Sequence, residues 1–162
     1  MIRHFTSTVF VVIEDKIALH WHSKVKMWLP PGGHVDENED PVQTALRECK
    51  EEMGIDINII SEHSYKFNDP KLSNIYPPEA ILIESVEDQK IGPHQHIDFI
   101  YFAYPKNLNF NLSSEWILVS QKDLISETKF TNPNGEQISP PHDVLVIGID
   151  AINKLKKPKK KS

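Results

Sequence analysis

The stretch from Asp40 to Gly54 is the most tightly specified part of this 162-residue sequence. Asp40 is a residue type that accepts hydrogen bonds from the free N–H groups of a helix start. Pro41 suits the first helical position, and Gln43 sits where a capping box needs it. Val42, Ala45, Leu46, Cys49 and Met53 recur at helical spacing and fall within an arc of roughly 100° when each residue turns by about 100°. Gly54 stands where a helix ends in the left-handed conformation. These signals predict one amphipathic helix with both ends defined.

Strands are predicted on either side of it. Phe5 to Ile13 is rich in Thr, Val, Phe and Ile; Glu14-Asp15-Lys16 reads as a tight turn, and Ile17 to Trp21 as the returning strand. Val25 to Leu29 is a third short apolar piece, after which Pro30-Pro31-Gly32-Gly33 is expected to stop regular structure. Beyond the helix, Ile55–Ile60, Ala80–Val86, His96–Tyr104 and Trp116–Val119 are candidate strands, and Ser61 to Pro78 is a long loop. Long loops in compact domains are uncommon and often functional. A last helix opens at Pro140 or Pro141 and is made apolar by Val144, Leu145, Ile147, Ile149, Ala151 and Ile152, with lysines complementing its C-terminal dipole. Hairpins combined with two helices predict an α+β or a three-layer α/β/α arrangement, one domain over residues 1–155, and a disordered basic tail over 156–162.

Charge narrows the function classes. The net charge of −5 argues against a protein that coats nucleic acid. Six lysines stand beyond residue 153, so residues 1–153 alone carry −11. The lysine tail lacks an apolar face, and its plainer reading is a solubilising terminus rather than a nucleic-acid or membrane contact. One cysteine, Cys49, excludes an internal disulfide and a cysteine-based zinc cluster. The longest apolar run near the start, Val9 to Ile13, is cut off by Glu14 and Asp15, too short for a signal-peptide core or a membrane span. The expected location is the cytoplasm.

Part of the excess acidity lies on the first helix. Glu48, Glu51 and Glu52 stand at i, i+3 and i+4 and project from one face, which the helical wheel sets away from the apolar arc; Arg47 is one turn before Glu51 and can pair with it. Crowded like charges cost a helix a few tenths of a kcal/mol. Divalent cations relieve that repulsion, and hard oxygen ligands suit Mg²⁺ or Mn²⁺. Taken alone, the three glutamates read more simply as a solvated charged face.

Their flanks alter that reading. Gly33 is followed after five residues by Glu39, then after seven by Arg47-Glu48-Cys49, one residue, Glu51-Glu52, one residue, and Gly54-Ile55. This string resembles the Nudix box, the signature of the Nudix (MutT-like) hydrolase superfamily, with every specified position present. Cys49 stands at a hydrophobic position, where it serves as a small apolar residue. Asn38 stands where relatives often have Gly, and asparagine tolerates left-handed backbone. The resemblance implies a Nudix fold, a three-layer α/β/α sandwich with a mixed sheet, and Mg²⁺-dependent hydrolysis (Mn²⁺ as the alternative) of a nucleoside diphosphate linked to another moiety. It implies that Glu48, Glu51 and Glu52 hold the metal, with Glu39 and the Gly33 backbone joining them, and that Arg47 orients the glutamates. Glu52 is favoured over Glu51 as general base, with Glu87 and Glu115 as alternatives on loops. The partner so implied is a small nucleotide, with neither nucleic acid nor membrane, and the chain a monomer or homodimer. A non-catalytic nucleotide sensor on the same fold is the competing reading, although such proteins usually lose part of the box. An isoprenoid diphosphate isomerase is disfavoured by the lone cysteine within the box helix.

Weaker signals concern the substrate. His94, His96 and Asp98 alternate along one strand face. The pair resembles a zinc-binding His-x-His, but a polar strand edge explains it more simply; the functional version has His96 or Asp98 lining the substrate cleft. His20 and His22 form a similar pair with a similar plain reading. Among Trp21, Trp28, Tyr65, Phe67 and Tyr76, the last three gain as base-stacking candidates because they lie in the long loop. Pro70 follows Ile55 by fifteen positions, a spacing associated in this superfamily with ADP-ribose hydrolases. ADP-ribose therefore stands beside nucleoside triphosphates and dinucleoside polyphosphates.

Overall fold

The computed structural model describes residues 1–62, 65–88 and 92–156. Strand β1 (Arg3–Ile13) turns through Glu14 and Asp15, at φ 48° and 62°, into β2 (Lys16–His22). Two left-handed turn residues match the twist of the strands they join. β3 (Met27–Leu29) pairs with β2 and is shorter than predicted, because residues 23–26 form the connection. The expectation that Pro30-Pro31-Gly32-Gly33 ends regular structure is corrected. Gly32–His34 forms β4, antiparallel to β1, with Gly32, Gly33 and His34 opposite Thr8, Ser7 and Thr6. The approach is close enough to require glycine, since a Cβ on Gly32 would lie 2.6 Å from the Ser7 carbonyl oxygen.

Helix α1 (Pro41–Met53) begins and ends as its caps dictate. The Asp40 carboxylate accepts from the N–H groups of Val42 and Gln43, the Gln43 side chain accepts from the Asp40 N–H, and Gly54 closes the helix at φ 72°. The chain continues through β5 (Ile57–Ile60), β6 (Ala80–Asp88), β7 (Gly92–Pro105), β8 (Trp116–Ser120), α2 (Gln121–Ile125), β9 (Phe130–Thr131), β10 (Gln137–Ile138) and α3 (His142–Leu155). The short elements α2, β9 and β10 were not predicted, because two to five residues carry no readable period. Segment 65–78 has no regular structure, as predicted.

The main sheet runs β3-β2-β1-β7-β5, with β4 also on β1, β6 also on β7 and β8 also on β2. β1 and β7 are parallel, and all other pairs are antiparallel, so the sheet is mixed. Both faces of β1 are covered, which is why its second half is apolar at every position. Val9, Val11 and Ile13 pack with Ala45, Cys49 and Met53 of α1; Phe10 and Val12 pack with Leu124 of α2 and Val144, Leu145, Ala151 and Ile152 of α3. The result is the three-layer α/β/α sandwich. Cys49 is fully buried, and burial pushes its thiol well above the ordinary range, so it behaves as a core residue. Leu46, placed in the apolar arc by sequence, is 39% exposed at the rim of the stripe.

The far end of α3 is tied back by Lys154, whose ammonium pairs with Glu79 at 2.6 Å. Of the predicted basic tail, residues 157–162 lie outside the described residues. Among the described residues, no helix is long and apolar enough to cross a membrane.

Candidate active site

The loop from β4 into α1 wraps around one arginine. Arg47 Nε and Nη2 donate as a fork to Glu39 Oε1 and Oε2 at 2.8 and 3.0 Å. Its Nη1 donates to Glu48 Oε1 at 2.7 Å and to Glu51 Oε2 at 3.3 Å, and its Nη2 reaches the His34 carbonyl at 3.1 Å. Asp36 lies 3.5 Å away on the rim. A planar guanidinium can serve several carboxylates at once, which a lysine cannot. The Glu39 hydrogen bond raises the Arg47 pKa, and reciprocally holds the Glu39 carboxyl below its usual range. Thr44 donates to Glu39 as well, so both Glu39 oxygens are engaged. Asn38 takes the left-handed conformation, φ 71°, that its place in the loop requires.

Gly32 and Gly33 bring the loop backbone against the helix carboxylates. Gly32 N–H donates to Glu52 Oε2 at 3.1 Å. A Cβ on Gly33 would lie 2.2 Å from Glu48 Oε1, so only glycine lets that carboxylate sit where it does. The wheel-based expectation that Glu52 faces away from the apolar arc is corrected here. Glu52 lies at the arc's edge, and burial, reinforced by Glu48 and Glu51, raises its carboxyl to about 7 against the Gly32 hydrogen bond. The Glu48 side chain is 14% exposed and that of Glu51 60%. This donor set consists of hard carboxylate oxygens beside a glycine backbone, which fits a divalent cation of the Mg²⁺ class.

The other predicted residues lie elsewhere. Strand alternation directs Ser7 toward α1, where its hydroxyl donates to the Pro41 carbonyl. Thr6, His96 and Asp98 therefore point to the opposite face, with Ile100 and Phe102. Asp98 is 3% exposed and accepts from Thr6 Oγ1 at 2.8 Å; burial raises its carboxyl nonetheless. His96 is lowered to about 4 by burial and by the neighbouring His34, His94 and His4. Tyr65 and Phe67 are exposed, with rings 6.1 Å apart and 25° from parallel. Farther along the same segment, the Tyr76 carbonyl accepts from buried Tyr101 on the α1 face. His20 stacks on Trp116 at 4.7 Å. The expectation of Glu87 on a loop is corrected, since it lies within β6 opposite Pro93, while Glu115 stands in the turn before β8; among the described residues, no hydrogen bond or ion pair joins either to α1.

Three residues with chemical potential escaped the sequence reading. His4 and His34 meet His96, with one ligand nitrogen of each within 4.8 Å of the others. Glu84 stands opposite His96 on β6, raised to about 7 by burial, Asp98 and Asp143. No spacing rule links positions 4, 34 and 84, and only strand register could have found them.

A family model described as the NUDIX domain matches residues 3–138. A probable DHNTP pyrophosphohydrolase of Lactococcus lactis subsp. cremoris (strain MG1363) is 33% identical over 96 residues, 59% of this chain and 51% of that protein. The asymmetrical bis(5'-nucleosyl)-tetraphosphatase of Sus scrofa is 41% identical over 51 residues, 32% of this chain and 31% of that protein. The chain thus spans about half or less of the length of these curated relatives. The crystal structure of a NUDIX-family hydrolase from Clostridium perfringens superposes with a TM-score of 0.72 at 30% identity, covering 96% of this chain and all of that one.

Proposed function

Because the chain belongs to the Nudix family, we propose that it hydrolyses a diphosphate linkage in a nucleotide, one in which a nucleoside diphosphate is joined to another moiety. The observation that carries this reading is the contact of Gly32 and Gly33 with the carboxylates of Glu52 and Glu48. That contact closes the loop and the helix into one acidic site. Mg²⁺, with Mn²⁺ as the alternative, is assigned to Glu48, Glu51 and Glu52, with the Gly33 backbone and Glu39 at the margin. Bound there, a divalent ion would neutralise the phosphate oxygens and make a water more nucleophilic.

The chain's own residues supply the rest. Glu52 is assigned as the base: with Oε2 held by the Gly32 N–H, Oε1 is left to take a proton from the attacking water. Arg47 acts as a positioning residue, holding Glu39, Glu48 and Glu51 in register. The stacked pair Tyr65 and Phe67 is assigned to the base of the nucleotide. His96 and Asp98 are assigned to the side of the sheet away from α1, and any contact they make with substrate comes from its second moiety. The names of the relatives favour nucleoside triphosphates and dinucleoside polyphosphates as substrates. ADP-ribose is supported by the place of Pro70 alone.

The test is a panel of nucleotides incubated with Mg²⁺, following release of phosphate, pyrophosphate or nucleoside monophosphate, repeated with Glu52→Gln. Cleavage that is metal-dependent and lost in the variant is the expected result. Tight nucleotide binding without turnover would replace the enzyme with a sensor. Unchanged turnover in Glu52→Gln would move the base elsewhere.

A further inference from the structure

Four histidines from three strands meet at one end of the sheet, across it from the acidic helix. β1 and β7 run parallel with His4 opposite His96. His94 lies two residues earlier on the same face of β7, and β4 sets His34 opposite Thr6, the next residue on His4's face of β1. Ring centroids are 5.4 Å apart for His4 and His34, 4.9 Å for His34 and His96, and 6.3 Å for His4 and His96. His94 is 5.1 Å from His4 and 5.0 Å from His96.

These spacings are those of ligands around one ion. On a tetrahedral zinc with Zn–N of about 2.0–2.1 Å, the nitrogens of two imidazoles stand about 3.3–3.4 Å apart. His94 Nε2 and His96 Nε2 are 3.1 Å apart, and the ligand nitrogens of His4, His34 and His96 all lie within 4.8 Å of one another. For His4, His34 and His96, a side-chain movement of about 1.5 Å or less brings the three nitrogens onto one centre, on the Zn–N lengths above.

The hydrogen bonds around the rings point the same way. His94 is buried, and its Nδ1 lies 2.9 Å from the Gly92 carbonyl oxygen, which can only accept. Nδ1 therefore carries the proton, and Nε2 presents its lone pair toward the other rings. A ring N–H donated to a backbone carbonyl is the usual arrangement behind a metal-ligating histidine. His4 Nδ1 is buried with no hydrogen-bond partner among the described residues, and a bound ion would satisfy it.

We propose that His4, His34 and His96, with His94 as fourth ligand, form a binding site for a transition metal, Zn²⁺ foremost, separate from the carboxylates of α1. Imidazole nitrogens suit Zn²⁺, Cu²⁺ or Ni²⁺ and do not suit Mg²⁺, which demands oxygen. The ion would pin the start of β1 to β4 and β7. β4 also carries Gly32 and Gly33 to the acidic helix, so the metal braces the strand on which that loop is hung.

The experiment uses tag-free, chelator-stripped full chain held in saturating Mg²⁺. Titration with Co²⁺ should give one equivalent of bound ion with the visible absorption of tetrahedral nitrogen coordination. Zn²⁺ should displace it, further Mg²⁺ should not, and Zn²⁺ should raise the melting temperature. His96→Ala and His4→Ala should each weaken Zn²⁺ binding about 100-fold or more, since even outer partners of a ligand are worth 10–100-fold. Glu48→Gln should leave Zn²⁺ binding within about twofold, on the same scale. His4→Asn and His34→Asn keep a polar side chain that fits within the space of the imidazole, so loss of binding in variants whose metal-free melting matches the parent is not a folding defect. The proposal is overturned if the folded parent takes up no Co²⁺. It is also overturned if the double variant His4→Asn/His96→Asn binds as the parent does, or if binding is lost in Glu48→Gln and kept in the histidine variants. Imidazole resonances that shift with inorganic phosphate and not with Zn²⁺ would make the cluster an anion site and equally overturn it.

Discussion

Gly33→Ala separates what the glycine pair does for the site from what it does for the fold. The three atoms nearest the added Cβ would all belong to Glu48, with Oε1 at 2.2 Å, Cδ at 2.6 Å and Oε2 at 3.2 Å. Gly33 is not among the positive-φ glycines, so alanine can adopt its backbone conformation. An ordinary contact begins near 3.4 Å, so the carboxylate must retreat by about 1.2 Å. That retreat stretches its 2.7 Å bond to Arg47. A partly exposed ion pair of this kind is worth roughly 0.2–1 kcal/mol. One kcal/mol moves the Tm of a chain this size by about 2–4 °C, and the folded structure should survive. Turnover should not, because moving a positioned group by about 1 Å costs on the order of 100-fold. The measurements are kcat/KM with Mg²⁺ and a nucleotide substrate, and thermal melting by circular dichroism. Gly32→Ala is the contrast: its Cβ would meet Ser7 O at 2.6 Å and Thr8 Cα at 3.0 Å, both backbone atoms of β1 that cannot yield cheaply. Overpacking of that kind costs about 1–3 kcal/mol, so this variant should melt clearly lower. Activity of Gly33→Ala within threefold of the parent would refute the reasoning, as would equal loss of stability in the two variants.

Arg47→Lys keeps the charge but loses the fork on Glu39 and the reach to Glu48 and Glu51; turnover should fall about 10–100-fold and recover partly at high Mg²⁺, read from a metal titration of the rate. Glu84→Gln should change the pH dependence of stability. The folded carboxyl is raised from 4.5 to about 7, so its stabilising proton is fully held below about pH 4.5 and lost as pH rises through 7. The variant should unfold at higher urea than the parent at pH 8, by about 1 kcal/mol after allowance for partial exposure, and should show a shallower fall between pH 5 and 7. Identical slopes for parent and variant would exclude that account. Asp40→Ala removes the acceptor for the Val42 and Gln43 N–H groups and should cost about 1 kcal/mol, seen as a lower Tm with α1 frayed in hydrogen exchange.

The parts of the molecule legible in the chain are those with local causes. Asp40, Pro41, Gln43 and Gly54 cap α1 where their chemistry places them, since each acts on backbone groups within four residues. The turn at Glu14 and Asp15 and the apolar second half of β1 are local in the same sense. β4 was hidden because two prolines and two glycines read as a stop, whereas the pairing of Gly32–His34 is decided by β1, more than twenty residues earlier. Glu52 stands only about 20° from Ala45 on the helical wheel, at the arc's edge, and its hydrogen bond to Gly32 comes from a loop that the wheel does not contain.

The box residues and their spacing belong to the linear chain: a helix with Glu48, Glu51 and Glu52 at i, i+3 and i+4, introduced by Gly33 and Glu39, follows from covalent order and helical pitch alone. The tertiary structure decided which of those groups touch. It curled Glu39 back to the Arg47 fork, set Glu48 against a glycine with no room for a Cβ, and gave Glu52 the Gly32 N–H as a donor. It also brought His4 and His34 to His94 and His96, to which no periodicity connects them. The reason is the range of the forces. Caps and helical faces arise from bonds between near neighbours, whereas strand register is set by burial of whole apolar faces, and that register brings distant side chains to one point.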